Sequence, residues 1–236
     1  MGKSVAVYYS SSAESGNTAR LLASFMRGIK RGKDTTETFA VKDLNISPCT
    51  GALHCWFKVP GQCYIQDDMQ DLCSSLREAE TLILATPVYI PLPGEMQNLL
   101  NRLCPLMEPI LETRDGRTRA KMRDDVAISR IALVSTSGWW EIGNFDTVVR
   151  IACELAENAS VPFVGSVLRP HALVMGQQED KAREILDAAE KAGYQLATTG
   201  TMSQDTLAVI SQPLTSEEEY RRGFNSNYLR VKGKGH

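Results

Sequence analysis

Val5-Ala6-Val7-Tyr8-Tyr9-Ser10-Ser11-Ser12-Ala13-Glu14-Ser15-Gly16-Asn17-Thr18-Ala19-Arg20-Leu21-Leu22 decides how the chain is read. An apolar run, a hydroxyl-rich turn and residues with helical spacing follow one another, which predicts strand, loop and helix. A helix start carries unpaired backbone N–H groups at the positive end of its dipole, so a loop crowded with Ser, Thr and Gly at that point can wrap a phosphate. No Lys follows Gly16, as it would in a nucleotide-hydrolysing P-loop, and no Gly-x-Gly-x-x-Gly is present. The chemistry indicated is anion capture without a cation, set against the plainer alternative of an ordinary capped helix after a strand.

Downstream, the same alternation recurs. Thr36 to Val41 alternates in polarity and predicts an edge strand, after a first helix closed by Gly28 and Gly32. Ile46 to Gln66 holds Pro48, Gly51, Pro60 and Gly61 with three Cys and reads as loop. A helix with acids in its first turn, Asp67-Asp68-Met69-Gln70-Asp71, leads to Thr81-Leu82-Ile83-Leu84-Ala85-Thr86, an apolar run suited to a central parallel strand buried on both faces. Glu95 to about Glu112 has helical periodicity, interrupted by Pro105 and Pro109, and the charged stretch Arg114 to Asp125 is expected to be an exposed excursion. Ile131 to Val134 predicts a fourth strand, Asn144 a helix cap, Val161 to Leu168 a fifth strand, and Glu179 to Thr198 a long helix. Alternating strands and helices imply an α/β fold with a doubly wound parallel sheet. Residues 1–202 are expected to form one domain and residues 203–236 an extension, frayed at Lys232-Gly233-Lys234-Gly235-His236.

With 236 residues, 43% of them hydrophobic, the chain can bury a sizeable core. A net charge of -2 argues against nucleic acid or an anionic membrane as a general partner. No run approaches the roughly 18 apolar residues of a membrane span, and no leader opens the chain, so a soluble cytoplasmic protein is expected. The six Cys are read as thiols or ligands in a reducing compartment.

Ligands of an open parallel sheet bind beyond the carboxyl ends of the strands, where strand order reverses. Three loops at such ends are chemically unusual: the Ser-rich stretch, Thr86-Pro87-Val88-Tyr89-Ile90-Pro91-Leu92-Pro93-Gly94, and Ser135-Thr136-Ser137-Gly138-Trp139-Trp140. With strand order 2-1-3-4-5 they line one crevice, with phosphate at the first loop and a flat heterocycle between the other two. The second loop would offer backbone N–H groups, and Tyr89 and Trp139 stacking faces.

Ser11 with Gly16-Asn17-Thr18, Thr86-Pro87-Val88-Tyr89 followed by a helix and Asn101-Arg102, and Ser137-Gly138-Trp139 together resemble the flavodoxin-like FMN proteins. More narrowly, the chain from Lys3 to Val174 resembles the NAD(P)H-dependent FMN reductases that include the iron-sulfur flavoproteins. The resemblance implies FMN as cofactor and NAD(P)H as electron donor. Ser11, Ser12, Ser15, Gly16, Asn17 and Thr18 would hold the phosphate, Pro87, Val88, Tyr89 and Ile90 the ring, and Thr136, Ser137, Gly138 and Trp139 its other side. Relatives often carry Gly-Ser-Pro-Arg before Gly-Asn-Thr; here Ser10-Ser11-Ser12-Ala13 lacks the arginine, leaving Arg20 or a neighbouring subunit to supply the charge.

Cys49, Cys55 and Cys63 stand where iron-sulfur flavoproteins have cluster ligands, but Ala52 occupies the second place. A vestigial ligand set, a site completed by His54 or another subunit, and plain thiols all remain open, with no cluster as the working expectation. Cys73, Cys104 and Cys153 read as apolar fillers, and His171 as a loop residue. The function expected is an FMN oxidoreductase passing electrons from NAD(P)H to a small-molecule or protein acceptor, with no side chain acting as acid or base. A non-enzymatic electron carrier is the alternative, and a domain that has lost its flavin a third. Trp140, the Cys-rich loop and the Pro-rich loop are expected to be exposed apolar surface covered in a homodimer or larger oligomer.

Overall fold

The computed structural model describes residues 2–12 and 15–233. The Ala13 departure and the end of the expected frayed tail, residues 234–236, lie outside the described residues. Five parallel strands form the central sheet: β1 (Lys3–Tyr8), β2 (Thr35–Ala40), β3 (Thr81–Pro87), β6 (Arg130–Thr136) and β7 (Phe163–Arg169), in the order β2-β1-β3-β6-β7. The expected order 2-1-3-4-5 for the parallel strands is therefore the one observed, with β2 at an edge and β3 at the centre.

Burial alternates along each central strand. Val5 and Val7, Leu82 and Leu84, and Ile131 and Leu133 face a layer made by α3 (Met69–Glu78), α4 (Gly94–Asn101) and α5 (Asp146–Ala159). Ala6, Ile83 and Ala85, and Ala132 and Val134 face the opposite layer of α1 (Asn17–Arg31), α6 (Glu179–Thr199) and α7 (Gln204–Ser211). Successive strand side chains point to opposite faces, so a strand covered on both sides must be apolar at nearly every position. The small residues of the second face let α1 and α6 sit close. Gly28 does not end α1 as expected but lies within it, where a Cβ would meet Glu190 O at 1.9 Å; a Cβ at Gly193 would meet Phe25 O at 2.0 Å.

Three local expectations are corrected. The helical reading beyond Asn101 fails, because Met107–Arg114 (β4) and Arg117–Met122 (β5) pair as an antiparallel hairpin that includes much of the expected excursion. Asp115 and Gly116 both take positive φ at its tip, a backbone that suits the twist of a tight hairpin. Its arginines turn to α5: Arg119 Nη2 lies 2.7 Å from Glu154 Oε1 and Arg117 Nη1 3.3 Å from Glu154 Oε2. Asn144 does not cap α5, which follows a 3-10 turn at Ile142–Phe145 with no side-chain cap. The Cys-rich loop, finally, contains one short helical turn, α2 (His54–Phe57).

That loop is anchored by a buried ion pair. Arg102, at the end of α4, grips Asp67 through Nη1 at 2.7 Å and Nη2 at 2.9 Å, and Nη1 also reaches Ser47 O at 2.6 Å. Both side chains are 1% exposed. Burial pushes the Asp67 carboxyl up, but hydrogen bonds from Arg102, Ser47 N and Met69 N outweigh it and hold the group below the ordinary carboxylate range. Replacing Asp67 by Asn should strand a buried guanidinium and cost about 3–5 kcal/mol. Chemical denaturation of Asp67→Asn and wild type measures it; a loss below about 1 kcal/mol, as for an exposed pair, would disprove the anchor.

Candidate functional site

β1, β3 and β6 run parallel and adjacent, with Tyr8 opposite Ala85 and Pro87 opposite Thr136, so their carboxyl ends share one edge. A cleft of 520 Å³ opens there. Ser11, Asn17 and Thr18 of the first loop, Pro87 to Ile90 of the second and Thr136 to Trp139 of the third all line it. Ser12, Ser15 and Gly16 do not. Ser12 Oγ accepts from Ser15 N at 3.2 Å and Ser15 Oγ at 2.9 Å, folding the loop on itself. Gly16 N donates to Ser12 O at 3.2 Å. A Cβ on Gly16 would stand 2.0 Å from Ser10 Oγ and 2.7 Å from Ser12 O, so only glycine permits this approach.

Among the described residues the lining contains no charged side chain. Its polarity comes from the start of α1, where no side chain caps the helix and the amides of Asn17 and Thr18 have no acceptor among the described residues. Ser10 is 5% exposed, lines the cleft, and its Oγ has no hydrogen-bond partner. An orphaned buried hydroxyl beside the amides of a helix start fits an anionic ligand. Thr18 Oγ1 and Thr136 Oγ1 lie 2.7 Å apart and tie the first loop to the third. One hydroxyl donates to the other, which keeps its own proton for a further partner.

The second loop offers fewer donors than expected. Val88 N donates to Thr136 O at 2.8 Å and Tyr89 N to Pro91 O at 3.1 Å, so of these three neighbouring amides only that of Ile90 has no acceptor among the described residues. Tyr89 packs edge-on against Tyr9, with centroids 6.2 Å apart, and keeps half its surface exposed.

Three lining residues escaped the sequence reading, Ala172, Leu173 and Phe224, and Ser10, within the Ser-rich loop, is not among the expected phosphate ligands. Phe224 belongs to α8 (Glu217–Lys232) of the C-terminal extension, opposite Trp139 at 6.4 Å between centroids. A readable signal existed, since Ser216 and Glu219 form a capping box and Tyr220 and Phe224 follow one helical turn apart. Tyr220 Oη donates to Gly138 O, fastening α8 to the third loop. Trp140, expected to await a subunit interface, is instead half-buried by the extension, and its indole donates to Thr215 O at 3.2 Å.

Arg169 and His171 hold this arrangement. Arg169 is fully buried, and its guanidinium donates to Pro170 O at 2.7 Å and to Ile210 O and Gln212 O at 2.8 Å each. His171 lies in the turn after β7, a loop residue as expected, yet it is buried, with a left-handed backbone (φ 38°). Its Nε2 accepts from Arg169 Nη2 at 2.6 Å and from Leu214 N at 3.0 Å, which leaves the ring proton on Nδ1. Burial first, and the Arg169 charge second, push the His171 pKa down to about 4.

Cys49 is exposed, and Cys55, Cys63 and Cys104 are half-buried. Cys104 is no helical filler; it begins a turn after α4 with its thiol toward that of Cys55. Burial, then the neighbouring Cys55, push the Cys104 thiol up to about 12, so both hydrogens stay in place at neutral pH. His54 stacks on Tyr64, with centroids 5.3 Å apart. Among the described residues no group of three or more His, Cys, Asp or Glu is arranged to hold a metal ion.

The NADPH-dependent FMN reductase family model matches residues 4–167. An iron-sulfur flavoprotein of Methanocaldococcus jannaschii is 32% identical over 92 residues, 39% of this chain and 47% of that protein. A second, of Archaeoglobus fulgidus, is 29% identical over 91 residues, 38% of this chain and 40% of that protein. The matches thus span less than half the length of these relatives. Among solved structures, an NAD(P)H:quinone oxidoreductase from Methanothermobacter marburgensis superposes with TM-score 0.58 at 13% identity, covering 83% of this chain and 96% of that one. An FMN-dependent NADH-azoreductase from Bacillus anthracis, in complex with FMN, gives 0.60 at 13% identity, covering 84% and 100%. At these identities the likeness is one of fold.

The His171 environment predicts a pH dependence. Unfolded His titrates near 6.5, so between there and pH 4 the unfolded chain binds the proton that the folded ring refuses. The stability contributed by neutral His171 is complete above about pH 6.5 and falls as pH drops toward 4. Urea midpoints at pH 7, 6 and 5 should decline, and His171→Gln should flatten the decline; equal slopes would sink the assignment.

Proposed function

The chain belongs to the NADPH-dependent FMN reductase family, and from that premise we propose that it binds FMN in the cleft and passes electrons from NAD(P)H to a small-molecule or protein acceptor. The observation that carries this reading is the anion cradle at the start of α1, with the orphaned Ser10 hydroxyl, opening into a neutral slot between two strand-end loops. When bound, FMN supplies the redox chemistry, taking two electrons from a nicotinamide and releasing them to a second substrate. The chain's own work is positional. Asn17 and Thr18 amides, the Ser10 and Ser11 hydroxyls and the spare proton of the Thr18–Thr136 pair hold the phosphate. Ser12, Ser15 and Gly16 shape that loop from behind. Pro87 to Ile90 border the ring on one side, with the Ile90 amide left to meet a polar edge, and Ser137 to Trp139 border it on the other. Leu173 and Phe224 narrow the opening and keep water from it.

Among the described residues no Asp, Glu, His, Lys or Arg lines the cleft, so these residues contribute orientation rather than a proton relay. Residues 1–202 make up the flavin-binding domain, and the extension from residue 203 serves as its cover. All six cysteines are free thiols and among the described residues no helix is long and apolar enough to cross a membrane, which supports work in the cytoplasm.

Freshly purified protein should show flavin absorption or quench added FMN, and should bleach with NADH or NADPH at a catalytically useful rate. Gly16→Ala, whose Cβ collides with the loop, should weaken FMN binding at least about tenfold. Binding without bleaching by either nicotinamide would mark a carrier; absence of FMN binding would end the reading altogether.

The protein further acts as a homodimer or larger oligomer. Phe224, Tyr228, Leu229 and Val231 leave α8 with exposed apolar surface, and Phe224 and the exposed Ile90 of the second loop both line the cleft. Sedimentation at micromolar concentration should give at least twice the 26.0 kDa chain mass; a monomer would refute it.

A further inference from the structure

We infer that Lys42 is the counter-charge for the flavin phosphate, an inference that rests on the FMN reading of the cleft. A phosphate monoester carries nearly two negative charges at neutral pH, yet among the described residues no cationic side chain lines the cleft that would receive it. Helix amides and hydroxyls solvate such a charge but cannot balance it. The sheet brings a cation from another element. β2 pairs with β1 in parallel, Tyr8 opposite Ala40, so the chain two residues beyond each strand end, at Ser10 and Lys42, arrives at the same edge. A short 3-10 turn, Val41–Asp43, begins there with Val41 buried at 1% exposure, which fixes the backbone while Lys42 points outward.

Lys42 Nζ donates to Ser11 O at 3.1 Å. Ser11 lines the cleft, so the ammonium stands against the back of the phosphate-binding loop. Its partner is a neutral carbonyl, and it makes no ion pair among the described residues, although Asp43 is its neighbour in sequence. An ammonium has three protons to donate, so two remain for oxygens of an incoming phosphate. Of the other cations considered, Arg169 is buried among carbonyls, Arg27 and Arg31 pair with Glu190 toward the far end of α1, and Arg20, the cation named from the sequence, is half-buried in the first turn of α1 and does not line the cleft. Lys42 is exposed, with a flexible stem, and so can follow a ligand without disturbing the core. It would act as a binding residue specific for the phosphorylated flavin, not as a group that touches the ring.

The test compares FMN with riboflavin, which has the same ring and no phosphate, by quenching of flavin fluorescence on titration with apoprotein. Wild type should prefer FMN. Lys42→Gln should weaken FMN binding about five- to tenfold while leaving riboflavin affinity within twofold, and Lys42→Arg should restore most of the loss. An unchanged FMN affinity in Lys42→Gln, with wild type still preferring FMN, would overturn the counter-charge and leave the cofactor assignment standing. Equal weakening toward both flavins would assign Lys42 to loop shape and equally overturn it. If wild type binds neither flavin, the inference falls together with the FMN reading.

Discussion

The parallel pairing of β1, β3 and β6 is the constraint on which the site depends. Parallel strands must all begin at one edge and finish at the other, and each crossover helix returns the chain to the starting edge. The carboxyl ends therefore collect loops of unrelated sequence into one place. The ladder also continues past the strands: Val88 N reaches Thr136 O and Ser137 N reaches Arg169 O. The second and third loops are thereby extensions of the sheet, with little freedom to lose when a ligand settles between them. The same bonds explain why the second loop has fewer amides to offer a ligand than its sequence suggests.

Electrostatics divides the molecule into a neutral cleft and a charged periphery. Charges inside the fold are few and each is solvated by chosen partners: Arg102 by Asp67, and Arg169 by backbone carbonyls and His171 without any carboxylate. Burial depresses the Arg169 pKa to about 10, still far above neutrality, so the guanidinium stays charged and holds its carbonyls in place. Because two of those carbonyls, Ile210 O and Gln212 O, come from the extension, the buried charge pins α7 and the chain leading to α8 against the end of β7. Tyr220 then sits at Gly138, and Phe224 at the mouth of the cleft. An interaction outside the cleft thus sets its entrance.

Much of this was legible in the residues. Apolar alternation in Val5 to Val7, Leu82 to Ala85 and Ile131 to Val134 reports strands covered on both faces, and the Ser-rich turn before Asn17 reports an anion-friendly helix start. The hairpin was not legible, since Met107, Leu111 and Arg114 also fit helical spacing, and Asp115-Gly116 speaks only for a turn. Ser12 and Ser15 resembled ligand contacts because composition does not say which hydroxyls turn inward; they bond to each other.

The sequence by itself determined the five strands of the central sheet, the sheet type and the three loops that meet at its edge, because these follow from local periodicity and from the rules of parallel crossover. Only the tertiary structure decided which residues far apart in the chain complete the cleft. Lys42 and the Arg169–His171 pair carry no periodic or motif signal of their own, and the helical signal around Phe224 does not say where that helix docks. Their roles arise from register and docking: strand pairing brings Lys42 beside Ser11, and a buried guanidinium draws the extension across the mouth. Such contacts are set by the global packing minimum, which no window of sequence contains.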